Sequence, residues 1–107
     1  MTTIALFGAT GVLGQSVASA LRAQGRRYRV VGRSEASLRR EFGDDPLAEI
    51  HTWNPDEPAS AQAAAAGIET LVYIVGVDYA HFELHPLVMR QMLEGAVTAG
   101  VKRILLI

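Results

Sequence analysis

The chain has no cysteine and only one lysine among its 107 residues. Without a thiol there is no disulfide, no thiolate metal site and no thiol nucleophile, so composition leaves the redox compartment open. No apolar run approaches the ~20 residues that a membrane helix requires. A membrane partner is therefore not expected. Internal repeats and linkers are also missing, and low complexity is confined to the alanine-rich stretch at 59–66. Aromatic residues make up 7% of the chain and are not interleaved with its arginines, so nothing is arranged to stack bases.

What is present points to one soluble globular domain. Half of the residues are hydrophobic, enough for a real core in a chain short for a complete two-half dinucleotide fold. The first apolar segment begins almost at Met1 and leaves no room for a targeting peptide, so a cytoplasmic location is expected. The net charge of −1 hides an asymmetry, with +5 over residues 1–43 and −6 over residues 44–107. Arg22, Arg26 and Arg27 fall at and after a helix end, where cations offset the dipole, and Arg39 and Arg40 fall on a solvated helix face. Nucleic acid is not an expected partner.

The chain is organised around Ile4-Ala5-Leu6-Phe7-Gly8-Ala9-Thr10-Gly11-Val12-Leu13-Gly14. A buried strand runs into glycines at every third position, and these lead into an amphipathic helix with Leu13, Val17 and Leu21 on its core stripe. Such glycines turn the chain off the strand, let backbone approach a pyrophosphate, and let the helix lie close to the sheet. Phosphate then rests on free N–H groups at the positive end of the helix dipole. A second strand, Tyr28 to Arg33, ends 19 residues after Gly14, near the ~20-residue offset of a ribose-reading side chain.

The remaining pattern alternates helix and strand. Gly25 is placed to end the first helix, and Ser34 caps a second that carries Leu38 and Phe42. A third strand around Leu47 to Trp53 lacks clean alternation. A turn with Asp56 as cap and Pro58 in the first turn opens a helix over 59–66, and Thr70 to Gly76 reads as a strand covered on both faces. A loop over 77–83 precedes a long helix from Pro86, whose Val88, Met92 and Ala96, flanked by Leu93 and Val97, face the core. The segment from Val101 to Ile107 is a fifth strand. Five strands joined by right-handed crossovers predict an α/β, doubly wound parallel sheet of order 3-2-1-4-5, with ligand at the carboxyl edge where the order reverses.

Gly8 to Gly14, the Val31-Gly32-Arg33-Ser34 ending of the second strand, and Glu94 to Ile104 resemble the extended and atypical short-chain dehydrogenase/reductases, including NmrA-like and epimerase-type members. The resemblance spans essentially the whole chain. It implies a Rossmann-type NAD(P)-binding domain whose cofactor contacts come from Gly8, Thr10, Gly11, Val12, Leu13 and Gly14 at the pyrophosphate, and from Gly76 and Val77 beside the nicotinamide-side ribose. Asn54 is placed to meet the adenine amino group, although the register there is open and Asp56 serves equally as a simple helix cap. Arg33 can pair with a 2′-phosphate where an acidic residue would repel it, and Ser34 can donate to the same group, so NADP is favoured over NAD. Arg33 also reads as an ordinary exposed arginine at a strand end.

The family's chemistry uses a Tyr-x-x-x-Lys pair, in which the lysine charge lowers the phenol pKa for proton exchange with substrate. Lys102 is preceded four residues earlier by Thr98, and Tyr28, Tyr73 and Tyr79 are followed by Gly32, Val77 and Glu83. No catalytic residue is therefore assigned, and the chain alone is expected to be inactive, the amino-terminal part of an oxidoreductase or epimerase-like protein whose substrate half is absent. The alternative is a redox-sensing regulator of the NmrA type that binds dinucleotide without turnover. His81, Glu83 and His85 do not make a convincing metal site next to Pro86, and His51 is assigned a structural role. Self-association is expected through the strand-five side, with Ile74, Ile104 or Leu106 left bare.

Overall fold

A computed structural model describes residues 2–8, 12–54, 57–74 and 85–106. The elements alternate as β1 (Ile4–Phe7), α1 (Val12–Ala23), β2 (Tyr28–Gly32), α2 (Glu35–Phe42), β3 (Ala48–Thr52), α3 (Pro58–Ala64), β4 (Thr70–Tyr73), α4 (His85–Ala99) and β5 (Arg103–Leu106). The strands form one parallel sheet of order β3-β2-β1-β4-β5, as the pattern of buried runs and crossovers predicts. The order reverses between β1 and β4.

Strand alternation divides the core between the two faces of the sheet. Ala5, Phe7, Val31, Leu71 and Tyr73 pack with Trp53, Met92, Ala96 and the alanines of α3. On the opposite face, Leu6, Tyr28, Val30, Val72 and Ile74 pack with Ala18, Leu21, Leu38 and Phe42. The alanine-rich α3 is thin enough for Ala61 to lie directly against Gly95 of α4.

Helix ends follow sequence chemistry in most places. The Arg26 N–H donates to the Leu21 carbonyl at 3.1 Å and the Gly25 N–H to that of Arg22 at 2.9 Å, which closes α1. The Ser34 hydroxyl accepts the Ser37 N–H at 3.3 Å and caps α2. At α3 the structure corrects the expected cap. The N-cap position is Glu57 rather than Asp56, and its side chain makes no capping bond. Ser60 holds this turn instead, because its hydroxyl accepts the Asn54 N–H at 2.8 Å and lies within hydrogen-bond reach of the Asn54 and Glu57 carbonyls.

Three core assignments are also corrected. Leu13 is 51% exposed, because the sheet-facing stripe of α1 is Gly14, Ala18 and Leu21 and small residues bring that side closest to the strands. Val97 is 69% exposed, since α4 turns Met92 and Ala96 inward and Val97 falls one step round the helix from Ala96. Ile74 and Ile104 are not bare: Ile74 is buried among the α1-side residues, and Ile104 packs against the α4-side core. The side chain of Leu106 lies outside the described residues, and the large hydrophobic side chain exposed on β5 among those described is Leu105, 54% exposed and paired in register with Val72.

Candidate dinucleotide site

The carboxyl ends of β1, β2 and β4 meet at Gly8, Gly32 and Ile74. Gly8 has φ +76°, a conformation that costs a residue with a Cβ about 1–2 kcal/mol. Its N–H donates to the Val31 carbonyl at 3.1 Å, while the Ile74 N–H donates to the Phe7 carbonyl at 2.9 Å. A Cβ on Gly8 would run into the backbone carbonyl of Ile74. Gly8 thus sits where β4 leaves no room for a side chain.

Four residues on, α1 begins, and its first turn carries no acidic side chain to neutralise the positive end of its dipole. Gly14 is buried and Leu13 stands exposed beside it. This arrangement fits a pyrophosphate: a left-handed glycine at the end of β1 is followed by a helix start whose dipole no acidic side chain offsets. Thr10 and Gly11, together with Gly76 and Val77, lie outside the described residues, and so do His81 and Glu83.

Arg33 and Ser34 follow β2 immediately, and both are exposed. Arg33 has no salt-bridge partner among the described residues, whereas Arg22, Arg29, Arg39 and Arg90 each pair with a carboxylate. Ser34 uses its oxygen as an acceptor in the helix cap and retains its hydroxyl proton for donation. Asn54 is exposed just beyond β3, next to the Trp53 N–H that donates to the Gly32 carbonyl at 3.0 Å. The edge therefore brings Gly8, the start of α1, Arg33, Ser34 and Asn54 to one side of the sheet.

Sequence reasoning missed two residues of this edge. Trp53 is buried with its ring centroid 6.0 Å from that of Phe7, and Tyr73 closes β4 beside Phe7. Burial raises the Tyr73 phenol above its ordinary pKa, and the charge of Arg33 pulls it part of the way back. The signal for Tyr73 lay in its register with Phe7 and Val31, which needs strand pairing as well as pattern. His51 pairs in register with Val31, and its Nε2 lies 2.8 Å from Glu49 Oε1. A groove of about 470 Å³ lies along α3 and α4, lined by residues that include Gln62, Arg90, Gln91 and Glu94, and none of the edge residues line it.

The profile of the NAD(P)H-binding family matches residues 8–107. The chain belongs to the NAD(P)H-binding family. No curated protein sequence matches this NAD(P)H-binding chain. Among solved structures, it is similar to the Citrobacter sp. triphenylmethane reductase complexed with NADP(H), at 29% identity and a TM-score of 0.82, over 97% of this chain and 36% of that one. The Escherichia coli NADPH-dependent quinone oxidoreductase complexed with NADPH shares the fold, at 24% identity and a TM-score of 0.83, again over 97% and 36% of the two chains. The domain thus spans little more than a third of the length of these structures. No helix among the described residues is long and apolar enough to cross a membrane.

Proposed function

We propose that the domain holds NADP(H) at the carboxyl edge of its sheet and serves as the cofactor-binding part of an oxidoreductase or epimerase-like protein. The observation that carries this reading is Gly8, confined between β2 and β4 at the point where the strand order reverses, with the uncompensated start of α1 behind it. Gly8, Val12, Leu13 and Gly14, with Thr10 and Gly11 between them, line the pyrophosphate. Arg33 and Ser34 take the 2′-phosphate, Asn54 borders the adenine, and Gly76 and Val77 pass the nicotinamide-side ribose. The likeness to a reductase complexed with NADP(H) at 29% identity supports the cofactor choice. When bound, the cofactor supplies the hydride; these 107 residues supply its seat, and a Tyr-x-x-x-Lys proton relay is not among them.

Thermal unfolding tests the reading. NADP⁺ at about a hundred times its Kd stabilises a one-site binder by ~2.7 kcal/mol, which for a domain of this size raises Tm by roughly 10–20 °C. NAD⁺ at the same concentration is expected to protect less. Arg33→Ala should bring NADP⁺ protection down to the NAD⁺ level, through a loss of about 10–100-fold in affinity. Absence of a shift at millimolar NADP⁺ would contradict the proposal.

We propose self-association through β5 as well, supported by the exposed Leu105 and by the unpaired backbone of an edge strand. Sedimentation at high concentration is expected to show a dimer that Leu105→Glu converts to monomer. A strictly monomeric parent would refute this assembly.

A further inference from the structure

The chain leaving β3 is held by a side chain that the reading above gives no part in recognition. The Ser60 hydroxyl oxygen accepts the Asn54 N–H at 2.8 Å and lies 2.7 and 2.9 Å from the Glu57 and Asn54 carbonyls. The Asn54 carbonyl already accepts the Glu57 N–H at 2.9 Å, so the single hydroxyl proton goes to Glu57. One residue earlier, the Trp53 N–H donates to the Gly32 carbonyl at 3.0 Å. Asn54 is thus bonded through both of its backbone groups, and the bond just before it ties the segment to the end of β2. With the peptide planes on either side held, the Cα–Cβ direction of Asn54 is set relative to Arg33 and Ser34.

The strand order says what meets this residue. A pyrophosphate at the end of β1 and a 2′-phosphate at Arg33 beyond β2 define a direction along the sheet edge, and the next strand in that direction is β3. Neighbouring strands are only ~4.8 Å apart, so the base carried by that ribose comes to the end of β3, where Asn54 is exposed. An asparagine amide suits adenine, because its oxygen accepts from the exocyclic amino group while its nitrogen donates to the adjacent ring nitrogen. Hypoxanthine has a carbonyl where adenine has the amino group, and one of the two bonds is lost. An exposed side chain discriminates in this way only if little freedom remains to be lost on binding.

We propose that Ser60 is a positioning residue for the base of the dinucleotide: by bonding the Asn54 N–H and the Glu57 carbonyl, it holds Asn54 where the amide reads the amino-bearing edge of adenine. The inference rests on the dinucleotide reading. Ser60 acts through Asn54 and does not itself meet the cofactor. What the role requires is the hydroxyl, so threonine can fill it and alanine cannot.

Calorimetric titration of the 107-residue chain with NADP⁺ and with deamino-NADP⁺, in which hypoxanthine replaces adenine, reads the base contact alone. The parent is expected to favour NADP⁺ about tenfold, and Asn54→Ala to bind the two alike. Ser60→Ala should narrow the preference to less than about threefold, while the ratio of NADP⁺ to NAD⁺ affinity, which does not depend on the base, moves by less than about twofold. Ser60→Thr should keep the parent's preference. Adding Ser60→Ala to Asn54→Ala should change discrimination no further, because both act on one contact. Ser60→Ala retaining the full preference, or weakening both dinucleotides equally as a merely structural serine would, overturns the inference, and so does a parent that binds the two alike; each of these leaves the dinucleotide reading standing. Failure of the parent to bind NADP⁺ would overturn that reading and this inference with it.

Discussion

Gly8→Ala is expected to destabilise the domain by about 3 kcal/mol or more and to lower Tm by roughly 10–20 °C. Two costs combine at this position. The left-handed φ of +76° accounts for about 1–2 kcal/mol by itself. The rest comes from the added methyl meeting the Ile74 carbonyl, a backbone atom that cannot move without disturbing the bond between the Ile74 N–H and Phe7. Gly67 provides the control: its φ is +78°, but nothing lies within 4 Å of the Cβ that alanine would add. Gly67→Ala should therefore cost only the conformational part. Equal Tm losses in the two variants, measured by calorimetry, would show that the crowding between β1 and β4 is unimportant.

The second large effect lies at the other end of the sheet. Arg29 is nearly buried on β2, where Nη1 donates to the carbonyls of Ala64 and Ala66 at 2.8 and 2.9 Å while Nε and Nη2 lie 2.9 and 2.8 Å from Glu49 Oε1. A cation thus closes the end of α3 and pairs across to β3. Removing one partner of a buried pair typically costs 3–5 kcal/mol, and the partial exposure of Glu49 reduces that, so Arg29→Met is expected to lose about 3 kcal/mol. A denaturant midpoint close to that of the parent would contradict this.

Glu49 adds a pH signature. Burial would raise its pKa, but the hydrogen bond from Thr2, the charge and hydrogen bond of Arg29, and the contact with His51 together hold it below the ordinary 4.5. A carboxyl whose folded pKa is depressed stabilises fully above its unfolded value and loses that contribution as pH falls through the folded one. Glu49→Gln should accordingly be less stable than the parent at neutral pH, and the gap should close in acid below about pH 4. A gap that stays constant down to pH 3 would argue against the network.

The sheet order was legible because β1, β2 and β4 carry buried apolar runs and every connection is a crossover. β3 resisted reading for a reason now visible: Ala48 and Ile50 face the α2-side core, while Glu49 and His51 on the other side belong to the polar group around Arg29. Leu13 and Val97 were misplaced because a helical period fixes a stripe's spacing but not its centre. The centre is set by where small residues, Gly14 and Ala18 in one helix and Gly95 and Ala96 in the other, let the backbone come closest. At the site, Gly8, Arg33 and Ser34 could be read from order along the chain. Tyr73 could not, since its place beside Phe7 depends on the pairing of two strands far apart in the chain.

Amide-resolved NMR titration of the 107-residue chain with NADPH tests the central claim most directly. The account predicts saturable shifts at Gly8, at Val12 to Gly14 and at Gly32 to Ser34, with little change at Arg29 or Glu49 on the opposite edge of the sheet. Shifts confined to that opposite edge, or to the groove along α3 and α4, would contradict it.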